Sequence, residues 1–271
     1  MLPEPALTLK TVPLTSLDGL SSDDYARWVA EALSSVNLLL ASLPAAKPSS
    51  TVWHPKRLYH TKTYPTQTWS SGRRETVPGT GATDGFRWHV RQSKHPREDG
   101  TYEQFKDGLL VDHSKKESEY IESCTEAKLV KTVFPGELEV WQTKYNNSPA
   151  SNRDFTFLLL TRDTTPAPSA SQTSAPSHAE SLVSPGPKPL RSFVVVSIPA
   201  DVPAEKGFVR GRYVSLEHVQ ETEEGGVVWT MAVSSDPGGW VPKLISEHVM
   251  PQKIAEDVPS FIEWLTKRPA A

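Results

Sequence analysis

Apolar positions along the chain follow two spacings, and each predicts its own kind of element. From Ser22 to Leu43, Tyr25, Val29, Leu33, Val36, Leu40 and Leu43 recur every third or fourth residue, as on one face of a helix. Ser21 and Asp24 supply a capping-box pattern at its start, and Pro44 and Pro48 end it. A second helix opens at Thr101, whose hydroxyl can cap while Gln104 reaches back. It carries Tyr102, Phe105, Leu109 and Leu110 before a highly charged stretch through Tyr120. At the end of the chain Leu244, Ile245, His248 and Val249, then Ile254, Val258, Phe261, Ile262 and Leu265, trace a single stripe interrupted at Pro251, which predicts a long amphipathic helix bent near Met250.

Elsewhere the period is two. FRWHVRQ sets Phe86, Trp88 and Val90 on one face and Arg87, His89 and Arg91 on the other; LEVWQTKY sets Glu139, Trp141, Thr143 and Tyr145 opposite Leu138, Val140, Gln142 and Lys144. RGRYVSLEHV and GGVVWTMAV are joined by EEGG, a turn with the glycines a hairpin needs, and FTFLLL and FVVVSIP read as further strands. These observations predict an α+β protein: a curved antiparallel sheet, a long C-terminal helix against its concave side, and an additional N-terminal helix. One helix rarely fills such a concavity, so a cavity is expected there.

Between Arg162 and Arg191 the chain holds six prolines and only three sizeable apolar residues, Leu182, Val183 and Leu190. Such a stretch cannot bury enough to offset its ordering entropy. It is expected to be a disordered insertion between two strands of one domain, the alternative being a linker between two domains. The predicted organisation is a helical extension over 1–50 and a domain over 51–271 interrupted at about 162–191.

Composition narrows the function classes. The 271 residues carry 29 basic and 32 acidic side chains, a net charge of −3, so no global basic field draws nucleic acid. One cysteine, Cys124, permits neither an intrachain disulfide nor a thiolate zinc site. Together with the opening MLPEPALTLK, which lacks the apolar core of a secretory signal, it points to a soluble, cytoplasmic protein. No apolar run approaches the roughly 20 residues that span a bilayer.

Catalytic and cofactor patterns are weak. His54 and His60, and His89 and His95, stand six apart, a spacing that does not bring two imidazoles to one helix face, so no metal is expected. Gly79 to Gly85 has its third glycine one residue too late for a phosphate cradle and no helix after it. There is no G-x-S-x-G elbow, and no cofactor is expected.

SNRDFTFLLL, VRGRYVSLEHV and the stretch from VVWTMAVSSDPGGWVPKL to the C-terminal helix resemble the last third of START domains, the steroidogenic-acute-regulatory-related lipid transfer family. The correspondence lies in Arg153-Asp154 opening a strand, Arg210 and Arg212 on the next, and the turn Asp236 to Pro242 before the helix. It is nearest to a fungal branch of uncharacterised START-like proteins. The resemblance implies a helix-grip fold holding one apolar ligand in a tunnel under the terminal helix. That ligand could be a sterol, phospholipid, fatty acid, polyketide or terpenoid, with transient membrane contact and no nucleic acid. The alternative function is an enzyme of the same shape, a cyclase or isomerase acting on a polyketide or terpenoid intermediate.

Trp141, Tyr213, Trp229 and Met231 are expected to line the tunnel, as they lie on central strands facing the helix; Trp88, Phe157, Leu244, His248 and Phe261 complete its apolar wall. Arg210 and Arg212 are the polar candidates for orienting a ligand. The Arg87, His89, Arg91 set and the Arg210, Arg212 set each share a strand face, which is read either as the wet outer face or, for one arginine, as the tunnel interior. Trp240 is expected to anchor the terminal helix or to touch a membrane.

Overall fold

The computed structural model describes residues 7–43, 52–61, 64–72, 74, 85–147, 151–167 and 189–268. The elements in chain order are β1 (Val12–Pro13), α1 (Ser22–Ser42), β2 (Trp53–Thr61), β3 (Tyr64–Ser71), β4 (Trp88–His95), α2 (Tyr102–Leu109) and α3 (His113–Tyr120). They continue as β5 (Cys124–Phe134), β6 (Leu138–Tyr145), β7 (Arg153–Asp163), β8 (Ser192–Asp201), β9 (Val209–Glu221), β10 (Val227–Asp236) and α4 (Lys243–Thr266). The strands form one 10-stranded sheet in the order β2-β3-β4-β10-β9-β8-β7-β6-β5, with β1 added parallel to β8. β7 and β8 pair antiparallel with Asp163 opposite Phe193; most of the proline-rich stretch between them lies outside the described residues.

Both capping signals act as the residue types require. The Ser21 side chain accepts from the Asp24 backbone N–H at 3.1 Å. Thr101 and Gln104 form a complete capping box on α2. The charged stretch after α2 does not continue that helix. The Leu110 and Val111 N–H groups both bond to the Lys106 carbonyl, and Asp112 turns left-handed at φ 51° before α3 begins. Aspartate tolerates that conformation better than most residues.

The sheet is covered on both faces, which sorts its strand residues into two clusters. On one face, the α1 face, Trp28, Val29, Ala32, Val36 and Leu39 of α1 pack with Trp88, Val90, Leu158, Leu160, Val194, Val196, Val214 and Leu216. On the other, the α4 face, Phe105 and Leu109 of α2 and Val258, Phe261, Ile262 and Leu265 of α4 pack with Trp141, Phe157, Leu159, Phe193, Val195, Val219 and Trp229. Being buried on both sides is why β7 and β8 read as continuous apolar runs rather than alternating ones. Gly108 allows α2 its approach to α4: a Cβ there would stand 2.7 Å from the Phe261 ring.

Candidate functional site

The α4 face carries a polar group within its apolar cluster. Alternate residues of β4 put His89, Arg91, Ser93 and His95 on it, all buried. Their neighbours across the ladder are on β10, where Met231 pairs with Arg91 on one side and with Glu217 of β9 on the other, and Trp229 pairs with Ser93. The Arg91 guanidinium carbon lies 3.8 Å from the centre of the Trp229 ring. Its Nη2 is 3.8 Å from Glu217 Oε2, too long for a hydrogen bond. Glu217 Oε2 instead accepts from Trp229 Nε1 at 2.7 Å, while Glu217 Oε1 stands 4.0 Å from His113 Nε2. Arg91 Nε and Nη1 have no hydrogen-bond partner among the described residues.

Helices on this face add Glu117 and Tyr120 from α3 and Asp257 from α4. Burial pushes the Asp257 carboxyl up to about 8, with Glu117 and Glu217 pushing the same way and Arg91 pulling back. Burial likewise raises Glu117 and lowers Arg91. His89 and His95 are lowered to about 4, both by burial, so they are neutral at pH 7. Glu117, Tyr120, Tyr145, Tyr213 and Asp257 are half-buried.

Ser93 Oγ lies 2.8 Å from His95 Nε2, and His95 Nδ1 lies 3.3 Å from Asp99 Oδ2. The His95 ring is packed among Tyr64, Phe105 and Trp229, so this line of groups ties β4 to the turn that follows it.

The two halves of α4 are held differently. After Pro251, Ile254, Ala255, Val258, Phe261, Ile262 and Leu265 are buried. Before it, the helix is fastened by Glu247, whose carboxylate accepts from Arg74 at 2.8 and 2.9 Å and from the Arg87 backbone N–H at 3.2 Å. Arg87 in turn donates to the Ser71 and Gly72 carbonyls.

Trp141, Phe157, Tyr213, Trp229 and Phe261 fall in or against the cluster under α4, and Met231 sits half-buried beside Arg91. The other five expected residues are elsewhere. Trp88 faces α1, because the alternation of β4 puts it opposite Arg91. Arg210 belongs to the α1 side, where it bonds to Asp154 at 2.6 and 3.1 Å and to Thr156 at 2.9 Å. Arg212 is exposed and paired with Asp236 at 2.7 Å. Leu244 and His248 lie on the outside of α4, so the stripe predicted as continuous turns away from the sheet before Pro251. Arg153 donates to the Pro237 carbonyl at 2.8 Å, so Arg153-Asp154, with Arg210, fastens β7 to β9 and to the turn before α4. Of the two arginine-bearing faces, the inner one is that of Arg91, and Glu217, Glu117 and Asp257 join it without having been singled out by spacing. The signal for Glu217 was its parity with Tyr213 on one strand.

Among the described residues no helix is long and apolar enough to cross a membrane. A family model described as "Protein of unknown function (DUF3074)" matches residues 88–265, well over half of the chain. An uncharacterized protein of the fission yeast Schizosaccharomyces pombe is 27% identical over 195 residues, covering 69% of this chain and 71% of that protein. Among solved structures, human StAR-related lipid transfer protein 5 is similar with a TM-score of 0.59 at 14% identity, over 87% of this chain and 96% of that one. Human STARD10 gives 0.57 at 13% identity, over 97% and 88%. A STAR-related lipid transfer protein of Xanthomonas axonopodis gives 0.55 at 13% identity, over 79% and 99%. The fold is the START helix-grip fold.

Proposed function

We propose that this chain, which belongs to the family described as Protein of unknown function (DUF3074), binds one amphipathic, mostly apolar molecule between the α4 face of its sheet and α4, and carries it between membranes. The START fold, found in proteins titled lipid transfer proteins, supports this class of ligand. The observation that carries the reading is Arg91: a fully buried guanidinium with two nitrogens lacking hydrogen-bond partners among the described residues, beneath α4. A buried donor without an acceptor is costly, and a guest's hydroxyl, carbonyl or acidic oxygen would supply the missing acceptor. The apolar body of the guest would then lie along Phe157, Trp229, Met231 and Phe261. Removing a dozen methylenes from water at about 0.8 kcal/mol each contributes roughly 10 kcal/mol before the costs of binding.

In this reading the strands and α4 hold the guest, and α1 closes the opposite face of the sheet. Exchange proceeds by displacement of the first half of α4, whose fastening is the Glu247 ion pairs and whose hinge is Pro251, which donates no backbone hydrogen bond. Buried, unpaired Cys124 is in keeping with a reducing, cytoplasmic setting.

The test combines mass spectrometry of an organic extract of the purified protein with transfer of labelled sterol and phospholipid between vesicles. The expected result is one co-purifying class of amphipathic molecule, transfer of that class, and at least tenfold weaker retention in Arg91→Met. A protein that purifies empty and accelerates transfer of neither lipid would sink the proposal.

A further inference from the structure

Alternate residues of β4 turn Arg91, Ser93 and His95 to the α4 face, and the proposed guest site uses only the first. Ser93 Oγ lies 2.8 Å from His95 Nε2, and His95 Nδ1 lies 3.3 Å from a carboxylate oxygen of Asp99. The turn after β4 brings Asp99 back to the ring, with the Asp99 and Gly100 N–H groups donating to the Pro96 and Arg97 carbonyls. A carboxylate accepts and does not donate, so Nδ1 carries the ring proton and Nε2 accepts from the serine hydroxyl. Hydroxyl, imidazole and carboxylate therefore stand in the order that activates a serine, an order recognised by geometry rather than by place in the chain. A donor for the charge that develops on an acyl oxygen completes such a site. Trp229 pairs with Ser93 across the ladder, and the Arg91 guanidinium carbon lies 3.8 Å from the centre of the Trp229 ring. Arg91 Nε and Nη1, which lack hydrogen-bond partners among the described residues, are thus held beside the Ser93–Trp229 pair. Burial, with the Arg91 charge adding to it, keeps His95 neutral at pH 7, the form a general base needs.

We propose that Ser93, His95, Asp99 and Arg91 hydrolyse an activated carboxylic ester of a long acyl chain, an inference that rests on the reading of the α4 face as a guest site. The acyl chain lies along Trp229 and Phe261, and the ester carbonyl oxygen accepts from Arg91. Ser93 Oγ attacks the carbonyl carbon while His95 Nε2 takes the hydroxyl proton, and Arg91 Nε and Nη1 donate to the oxygen as it gains negative charge. The ester C–O bond then breaks, and the leaving alcohol receives the proton from Nε2. Water, the second substrate, gives a proton to Nε2 as its oxygen attacks the acyl carbon. Ser93 Oγ departs with that proton, and the carboxylic acid is released. Asp99 accepts from Nδ1–H throughout and holds the ring in place, so it is a positioning residue. A ring lowered to about 4 is a weak base, which restricts the reaction to esters whose leaving group is itself weakly basic, such as a phenol.

The experiment treats the full chain with a decyl fluorophosphonate, which bonds to activated serines with loss of fluoride, and follows nitrophenolate release from 4-nitrophenyl decanoate. The wild type is expected to gain one adduct, mapped by mass spectrometry to the peptide holding Ser93, and to release nitrophenolate catalytically. Ser93→Ala should lose the adduct and release nitrophenolate at least tenfold more slowly, with the circular dichroism of the wild type. Asp99→Asn should lower kcat at least tenfold and leave KM for the decanoate ester unchanged, a split that a general loss of structure would not give. An adduct on any other residue, or release as fast in Ser93→Ala as in the wild type, overturns the inference. Wild-type protein that takes up a fluorescent polyene fatty acid, yet gives no adduct and no release above the Ser93→Ala background, also overturns it and leaves guest binding standing. Protein that takes up no fatty acid overturns the guest reading first, and this inference with it.

Discussion

The two faces of the sheet are built from the same strands and solve opposite problems. On the α1 face, aliphatic side chains of the strands meet those of α1, and the deepest charge, Asp154, is fully satisfied by Arg210, Gln142 and the Glu205 backbone N–H. On the α4 face, large aromatics surround an arginine with two nitrogens that lack hydrogen-bond partners among the described residues, an aspartate pushed up to about 8, and half-buried tyrosines. A face that existed only to stabilise the fold would resemble the first, because unsatisfied buried polar groups cost about 1–3 kcal/mol each and a well-packed apolar core costs nothing of the kind. The difference is what supports placing the proposed guest on the α4 face.

The contrast breaks first, and hardest, at Asp154. Asp154→Ala leaves Arg210 without its carboxylate partner, and a loss of about 3 kcal/mol in unfolding free energy is expected in denaturant titration. Truncations of similar size then sharpen it. Leu216→Ala, on the α1 face, should cost about 2–4 kcal/mol, because neighbours on that face cannot close the gap. Met231→Ala, half-buried on the other face, should cost only about 1 kcal/mol and reduce retention of the guest instead. Equal costs for the two would erase the distinction between the faces.

The smallest effect lies in the pH dependence. Asp257 is raised in the folded protein, so its protonated form contributes stability that is lost as pH rises through about 8. His89 and His95 are lowered to about 4, so between their unfolded value near 6.5 and about 4 the unfolded chain binds more protons, and stability falls as pH drops through that window. The loss from Asp257 runs from about pH 4 to about 8, so Asp257→Asn should remove it from a melting-temperature profile and steepen the rise with pH that the histidines give below about 6.5. A profile unchanged between about pH 4 and 8 would remove Asp257 from this account.

The sequence carried the fold better than the site, for a reason visible in β4. Capping residues and the spacing of Tyr25, Val29 and Val36 identify α1 directly, and the run FTFLLL marks a strand buried on both sides. Alternation along FRWHVRQ correctly separates Trp88 and Val90 from His89 and Arg91. It cannot say which set lies inside, because both are buried and the inner one is the polar set. The same limit misplaced Arg210, whose partner Asp154 becomes its neighbour only through the parallel pairing of β7 with β9. Leu244 and His248 were misplaced because helical spacing counts apolar positions without knowing that Glu247 is turned to the protein and they to solvent. The turn Asp236 to Pro242 was legible as a break, and its fastening by Arg153 was not, since it joins residues far apart in the chain.

The central claim is that the α4 face encloses room for a single guest. The most direct measurement is titration of delipidated protein with a fluorescent polyene fatty acid, alongside Met231→Trp, which adds bulk next to Arg91 without touching the α1 face. Saturation at one probe per chain, abolished in Met231→Trp while its melting temperature is maintained, is the predicted result. Absence of saturable binding, or binding indifferent to the added bulk, would contradict it.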